Sequence, residues 1–232
     1  MCGRYVVTKA VADLLPDLLA GSGDGDLLGD DYNVAPTALV PVVRTRHGER
    51  DLQRVEWGFL PGWAKDVKAK PRPINARIET VADSGMFRRA FARSRCIVPA
   101  LGYYEWVVTP TGKQPHFIEL PDGALAMAGV LSAWADPAAD RDDPDRWRLS
   151  MAIVTRDAHV APGEVHDRMP ACLTPDGYAE WLREDLPPED AVQLLGAESL
   201  EVAARLTHFE VSRAVGNVRN TGPELIRPLP GG

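Results

Sequence analysis

The chain has 232 residues, enough for a sizeable hydrophobic core. With 45% apolar and 25% charged residues it has the composition of a soluble globular protein, and no apolar run approaches the ~20 residues that span a bilayer. A net charge of −7 argues against a uniformly basic surface, and three widely spaced cysteines and five scattered histidines argue against a disulfide framework or a thiolate zinc site.

Residues 3–7 read as a short strand, and Thr8 as the N-cap of a helix carrying Val11, Leu14, Leu15 and Leu18. A Gly/Asp-rich loop is expected over 21–31. The runs 38–44 and 52–57 flank a His47-Gly48 turn and predict a hairpin. Residues 61–75 form an irregular basic loop leading to the short run 74–80. A helix with a cationic face is predicted over 85–93, with Met86, Phe87 and Phe91 turned to the core. Strands are expected over 96–99, 104–108, 116–120, 125–131 and 149–155, with turn signals at 110–112 and 121–123. The acidic stretch 135–146 reads as a surface insert, and 175–183 and 188–195 as short helices. No repeat or composition shift marks a boundary, so residues 1–232 are expected to form one α+β domain dominated by antiparallel strands.

The charge is unevenly spread. Between Trp63 and Arg95 nine basic residues face three acidic ones, an excess of six positive charges, which leaves the rest of the chain with thirteen negative. Screening over about 10 Å lets such a segment attract a polyanion locally, although it can equally be a solvated face. No secretory signal is visible, so a cytoplasmic location is expected.

Cys2 is the first residue with distinctive chemistry. Removal of Met1 would leave an α-amine and a thiol on one residue, with ordinary pKa values of about 7.7–8.0 and about 8.5. Such a 1,2-aminothiol condenses with an aldehyde and closes to a thiazolidine. The alternative is a small buried thiol. Glu105, among the aromatics of Gly102-Tyr-Tyr-Glu-Trp106, reads either as a desolvated general acid/base or as an exposed residue alternating with inward Tyr104 and Trp106. Asn75 and Arg77, two apart on a strand, would share a face and offer an amide and a phosphate fork. His166 could shuttle a proton or be a structural histidine, and Arg168 could hold a phosphate. Residues 215–222 could offer backbone amides to phosphates.

Eight segments occur in order: Met1-Cys-Gly-Arg-Tyr5, Tyr32-Asn-Val-Ala-Pro36, Trp57-Gly-Phe-Leu-Pro-Gly-Trp63, Asn75-Ala-Arg-Ile-Glu-Thr80, Arg95-Cys-Ile-Val-Pro-Ala100, Gly102-Tyr-Tyr-Glu-Trp106, His166-Asp-Arg-Met-Pro170 and Val215-Gly-Asn-Val-Arg-Asn220. Together they resemble the SRAP (SOS response-associated peptidase) family of abasic-site processing proteins, over residues 1 to about 228. The resemblance implies a β-barrel-like antiparallel core with peripheral short helices and a positive groove for single-stranded DNA. It implies a thiazolidine crosslink between Cys2 and the ring-opened sugar of an abasic site, with Asn75, Glu105 and His166 as its functional partners. Arg4, Arg77 and Arg168 match family arginines near the DNA backbone, and Thr155 a polar residue near the site. Leu101 departs from the more polar residue often found there. Trp63 is a candidate for stacking on a base.

These readings predict a monomer that needs no metal or cofactor, meets no membrane and associates with the nucleoid when bound to abasic single-stranded DNA. A lyase side activity by β-elimination is possible chemistry for the same imine. Two rivals stay open: a peptidase or amidohydrolase with Cys2 as N-terminal nucleophile, and a non-covalent reader of single-stranded or modified DNA for which Cys2 is incidental.

Overall fold

The first hairpin is decided by two residues. His47 and Gly48 hold φ of 54° and 82°, the left-handed pair that a two-residue turn between twisted strands requires. The flanking runs then pair residue for residue, from Leu39 opposite Glu56 to Arg46 opposite Glu49.

The computed structural model describes residues 2–19 and 28–230. The chain opens with β1 (Tyr5–Val7), α1 (Val11–Leu14), α2 (Pro16–Leu19), β2 (Asp31–Val34), β3 (Leu39–Arg46) and β4 (Glu49–Trp57). Then follow β5 (Asn75–Arg77), α3 (Ile78–Val81), α4 (Arg88–Arg93), β6 (Arg95–Ala100), β7 (Gly102–Thr109), β8 (Gly112–Glu119), β9 (Leu125–Ala135) and β10 (Trp147–Asp157). The remainder holds α5 (Ala161–Val165), β11 (Arg168–Pro170), β12 (Cys172–Leu173), α6 (Tyr178–Trp181), α7 (Pro188–Ala203) and β13 (Thr207–Glu210).

Five strands close into a barrel in the order β10-β4-β3-β6-β9, because β9 pairs back onto β10. All its pairings are antiparallel except β10 with β4. Closure removes the free sheet edges that would otherwise invite association. β10 is long enough to continue past the barrel, where it holds β5 on one side and β11 on the other. A second antiparallel sheet, β13-β8-β7-β1-β2, packs beside it. The expected β-barrel-like core with short peripheral helices is what the fold contains.

Alternation sorts the barrel side chains into two apolar layers. Val42, Val55, Trp57, Cys96, Val98, Met127, Met151 and Ile153 pack together with Cys2, while Val43, Leu52, Ile97, Ala128 and Val130 pack with Phe91, Trp181 and Leu195 of the helices. Both faces of β6 are therefore buried, which is why its sequence after Arg95 is a continuous apolar run. Gly129 is forced by this packing: a Cβ there would lie 2.8 Å from the Cys96 sulfur.

Several boundaries differ from expectation for physical reasons. Pro16 splits the first helix into α1 and α2, and the Thr8 carbonyl, not its hydroxyl, accepts from Val11 N–H at 3.1 Å. The run 74–80 is β5 followed by α3. α7 continues through Gly196 to Ala203 because Ser199, Val202 and Ala203 are buried, and Arg156 donates to the Gly196 carbonyl at 2.8 Å and to Ser199 Oγ at 2.7 Å. The expected 21–31 loop falls largely on 21–27, outside the described residues; Gly29 takes φ of 63° and β2 begins at Asp31. No described helix is long and apolar enough to cross a membrane.

Candidate active site

The N-terminal segment is drawn into the molecule by strand pairing. Tyr5 lies opposite Val34 and Tyr103, and Tyr104 N–H donates to the Arg4 carbonyl at 3.0 Å. Cys2, three residues before β1, is thereby carried into the apolar layer between barrel and second sheet, where it is fully buried. Asn75 meets it there. Its Nδ2 donates to the Cys2 carbonyl at 2.9 Å, while its Oδ1 is buried without a hydrogen-bond partner. β5 holds Asn75 firmly, paired with Ile153, while the neighbouring Ile74 carbonyl accepts from Ile153 N–H at 3.0 Å and from the Trp57 indole at 2.9 Å.

Burial, reinforced by the charge of Glu105, pushes the Cys2 thiol well above its ordinary range, so the sulfur is held protonated. Glu105 is only 3% exposed, which decides between its two readings: it is an interior carboxyl, and Tyr104 points into a separate cluster with Phe117. Burial raises its pKa, opposed by the positive charge of the chain's amino terminus and of His166. Tyr103 went unnoticed in the sequence. Its hydroxyl and that of Tyr5 are buried without hydrogen-bond partners, and both sense Cys2 electrostatically. Strand alternation was the available signal, because Tyr103 and Glu105 share a face of β7.

His166 follows α5 directly. Its Nδ1 lies 3.0 Å from Arg168 N–H and 2.6 Å from the exposed Asp167 carboxylate. The first contact needs a bare Nδ1 and the second an Nδ1 that carries a hydrogen, so the two are alternatives. Cys2, Asn75, Glu105 and His166 are thus brought into one neighbourhood by β1, β5, β7 and the turn after α5.

The arginines fare differently. Arg168, expected to meet phosphate, is 8% exposed and is held by Glu79 at 2.8 and 3.0 Å, by Asp157 at 2.5 Å and by the Thr155 carbonyl at 2.9 Å. Thr155 is buried behind it. Arg4 donates to Asn33 Oδ1 at 2.9 Å and the Val215 carbonyl at 3.1 Å. Asn33 in turn donates to the carbonyls of Val215, Asn217 and Asn220, so this segment turns carbonyls rather than amides inward. Arg77, opposite Thr155 in the ladder, is exposed. Trp63 is also exposed, but it stands apart: its neighbour Gly62 lies against Ala133, whose partner Leu149 is four residues from Ile153, or roughly 13 Å along the strand. Of the basic segment, Arg95 is buried against three carbonyls and Arg72 is paired with Glu56 at 2.5 Å. Among the described residues no group of three or more His, Cys, Asp or Glu is placed to hold a metal ion. The cysteines Cys2, Cys96 and Cys172 are all unbridged and buried.

A buried carboxyl and amide flanking the first residues of a chain can position an amine and move protons at it, with an imidazole near by. Comparison with known proteins agrees on where this chain belongs. The family model for SOS response associated peptidase (SRAP) matches residues 1–218. The abasic site processing protein YedK of Escherichia coli is 36% identical, over 99% of this chain and all of that protein. Bacillus subtilis YoqW, also an abasic site processing protein, is 31% identical over 97% and 99%. A solved structure from Bacteroides thetaiotaomicron covers 98% of this chain and 100% of its own with a TM-score of 0.75 at 21% identity. A phage-related protein from Bordetella bronchiseptica covers 91% and 95% with a TM-score of 0.70 at 27% identity. The chain belongs to the SRAP family.

Proposed function

We propose that this protein senses abasic sites in single-stranded DNA and bonds to them covalently through Cys2 after loss of Met1. The observation that carries the reading is the convergence of Asn75 and Glu105 on Cys2. The names of the relatives, abasic site processing proteins, support DNA with such lesions as the substrate.

The steps balance with the groups at hand. Loss of Met1 frees the Cys2 nitrogen, which attacks the C1′ aldehyde of the ring-opened sugar to give a carbinolamine. Glu105, kept protonated to a higher pH by burial, donates the proton that lets water leave, and the imine forms. The thiol adds to the imine carbon, its proton passes to the nitrogen, and the thiazolidine closes. The protonated sulfur suits this order, in which the amine reacts first. A peptidase that attacks through sulfur would need a depressed thiol pKa, the opposite of what burial produces at Cys2. His166 serves the sugar's ring oxygen, Asn75 orients Cys2, and exposed Arg77 attends the phosphates, which Arg4 and Arg168 meet only by exchanging their internal partners. β-Elimination from the same imine would give a lyase side reaction.

Incubation with an abasic single-stranded oligonucleotide is expected to give a heat- and SDS-resistant adduct, with the intact mass reporting Met1 loss. Cys2→Ala or acetylation of the Cys2 amine should abolish it. An undiminished adduct with Cys2→Ala, or none with the native chain lacking Met1, would overturn the proposal.

A further inference from the structure

The register of the second sheet sets Glu210 of β13, His116 of β8 and Glu105 of β7 side by side. Residues opposite one another in a ladder share a face, so His116 stands on the face that buries Glu105, and His208, opposite Ile118, stands there too. The two rings meet edge to face, with their Nδ1 atoms 3.1 Å apart. The other nitrogen of His208, Nε2, lies 3.1 Å from Glu164 Oε2. Three side chains thus tie β8, through β13, to α5, the helix that ends at His166.

That helix needs a tie. Val160, at its start, has φ of 55°, which a β-branched residue rarely adopts. Val165 is buried in the same apolar layer as Cys2, and His166 N–H donates to the Pro162 carbonyl at 3.0 Å, so the His166 imidazole follows any movement of α5. An exposed ion pair alone contributes little. Here the His208 ring is also fixed at its second nitrogen, by His116.

Hydrogen positions limit the charge this line can carry. Ionised Glu164 only accepts, so His208 Nε2 carries a hydrogen. The facing Nδ1 atoms hold one hydrogen between them, which serves whether the pair is uncharged or singly charged. A second charge puts a hydrogen on both, and donor then faces donor across 3.1 Å. Burial, and next the charge of His208, hold the His116 pKa below its ordinary value, while Glu210 opposes them. Glu164 faces the pair from α5 and Glu105 flanks His116 on β7; Arg213, a cation beside β8, meets Gln114 two residues away. The folded chain binds the second proton more weakly than the unfolded one, so acid opens the contact and base does not.

We propose that His208 and Glu164 are positioning residues for His166, and that His116 makes their latch acid-sensitive, releasing α5 when both imidazoles are charged. Only the use of His166 on the sugar rests on the proposed function.

The test uses the full-length protein without DNA and reads hydrogen exchange at the His166 amide, corrected for its intrinsic pH dependence. The native amide should exchange slowly near neutrality and about ten-fold faster once pH falls well below about 6.5, the ordinary histidine value. Glu164→Ala should show the fast exchange already at neutrality, whereas Glu164→Gln, which still accepts from Nε2, should restore the native rate. His116→Asn keeps an acceptor near the place of Nδ1 and never gains a charge, so its His166 amide should stay slow in acid. Native exchange in Glu164→Ala, or acid opening that persists in His116→Asn, overturns the proposal. With saturating abasic single-stranded DNA, Glu164→Ala should form adduct about ten-fold more slowly at unchanged affinity. An undiminished rate overturns the positioning role. Absence of any adduct from the native chain would sink the Cys2 reading alone, because the latch is read without DNA.

Discussion

The side-chain amide of Asn75 donates to the carbonyl of Cys2 at 2.9 Å across 73 residues of sequence, and this bond ties the N-terminal segment to a strand anchored on the barrel. Asn75→Ala removes it and frees Cys2 to adopt other rotations about its backbone. The adduct rate on abasic single-stranded DNA should fall by about 10²-fold, the cost of losing positioning of the reacting group. Asn75→Asp, which cannot donate from Oδ, should fall comparably. Single-turnover gel assays at saturating DNA would show it, and a rate within two-fold of native, by about 0.4 kcal/mol, would contradict the positioning role.

Glu105 gives a prediction with a definite sign in pH. Its folded-state pKa is raised by burial, so the folded chain binds this proton more tightly than the unfolded one. Stability is then lost as pH rises from the unfolded carboxyl value toward the folded one, and stays lost above it. Glu105→Gln should therefore be more stable than the native chain near neutrality, by on the order of 1 kcal/mol. The difference should vanish in acid, where both are neutral. Thermal melts at several pH values would test this. The same variant should form adduct about 10²-fold or more slowly, because it cannot give up and regain a proton.

Arg168 is already neutralised by Glu79 and Asp157, so a phosphate must compete with them. Asp157→Asn removes the more exposed competitor. Affinity for single-stranded DNA should rise several-fold, and the slope of log K against log salt should steepen by up to about 0.7. An unchanged affinity and slope would indicate that Arg168 only ties β11 to α3.

Arg95 has three carbonyl acceptors, those of Phe91, Trp181 and Arg183, and stacks 5.6 Å from the Trp181 ring. It stitches the ends of α4 and α6 to the barrel. Arg95→Met should cost about 3 kcal/mol, since the helix-end carbonyls lose a charged donor. For a chain of this size that is a drop of about 6–12 °C in Tm, readable by calorimetry.

Local chemistry in the sequence determined the His47-Gly48 hairpin, the apolar runs of β6 and β9, and the pairing of an amine with a thiol at Cys2, because each depends on neighbours a few residues away. The order of the eight motifs likewise pointed to the family before any coordinate. Tertiary structure decided the rest. Alternation alone left Glu105 either in or out, and the packing of β1 against β7 buried it. A basic count from Trp63 to Arg95 could not tell that Arg95 is interior, Arg72 is paired, and Arg89 and Arg93 stay open beside Trp147. Barrel closure of β9 onto β10, and the parallel seat of β5 beside it, set those distances. Register between strands far apart in sequence is a sum of many weak packing terms, and no short window of residues contains it.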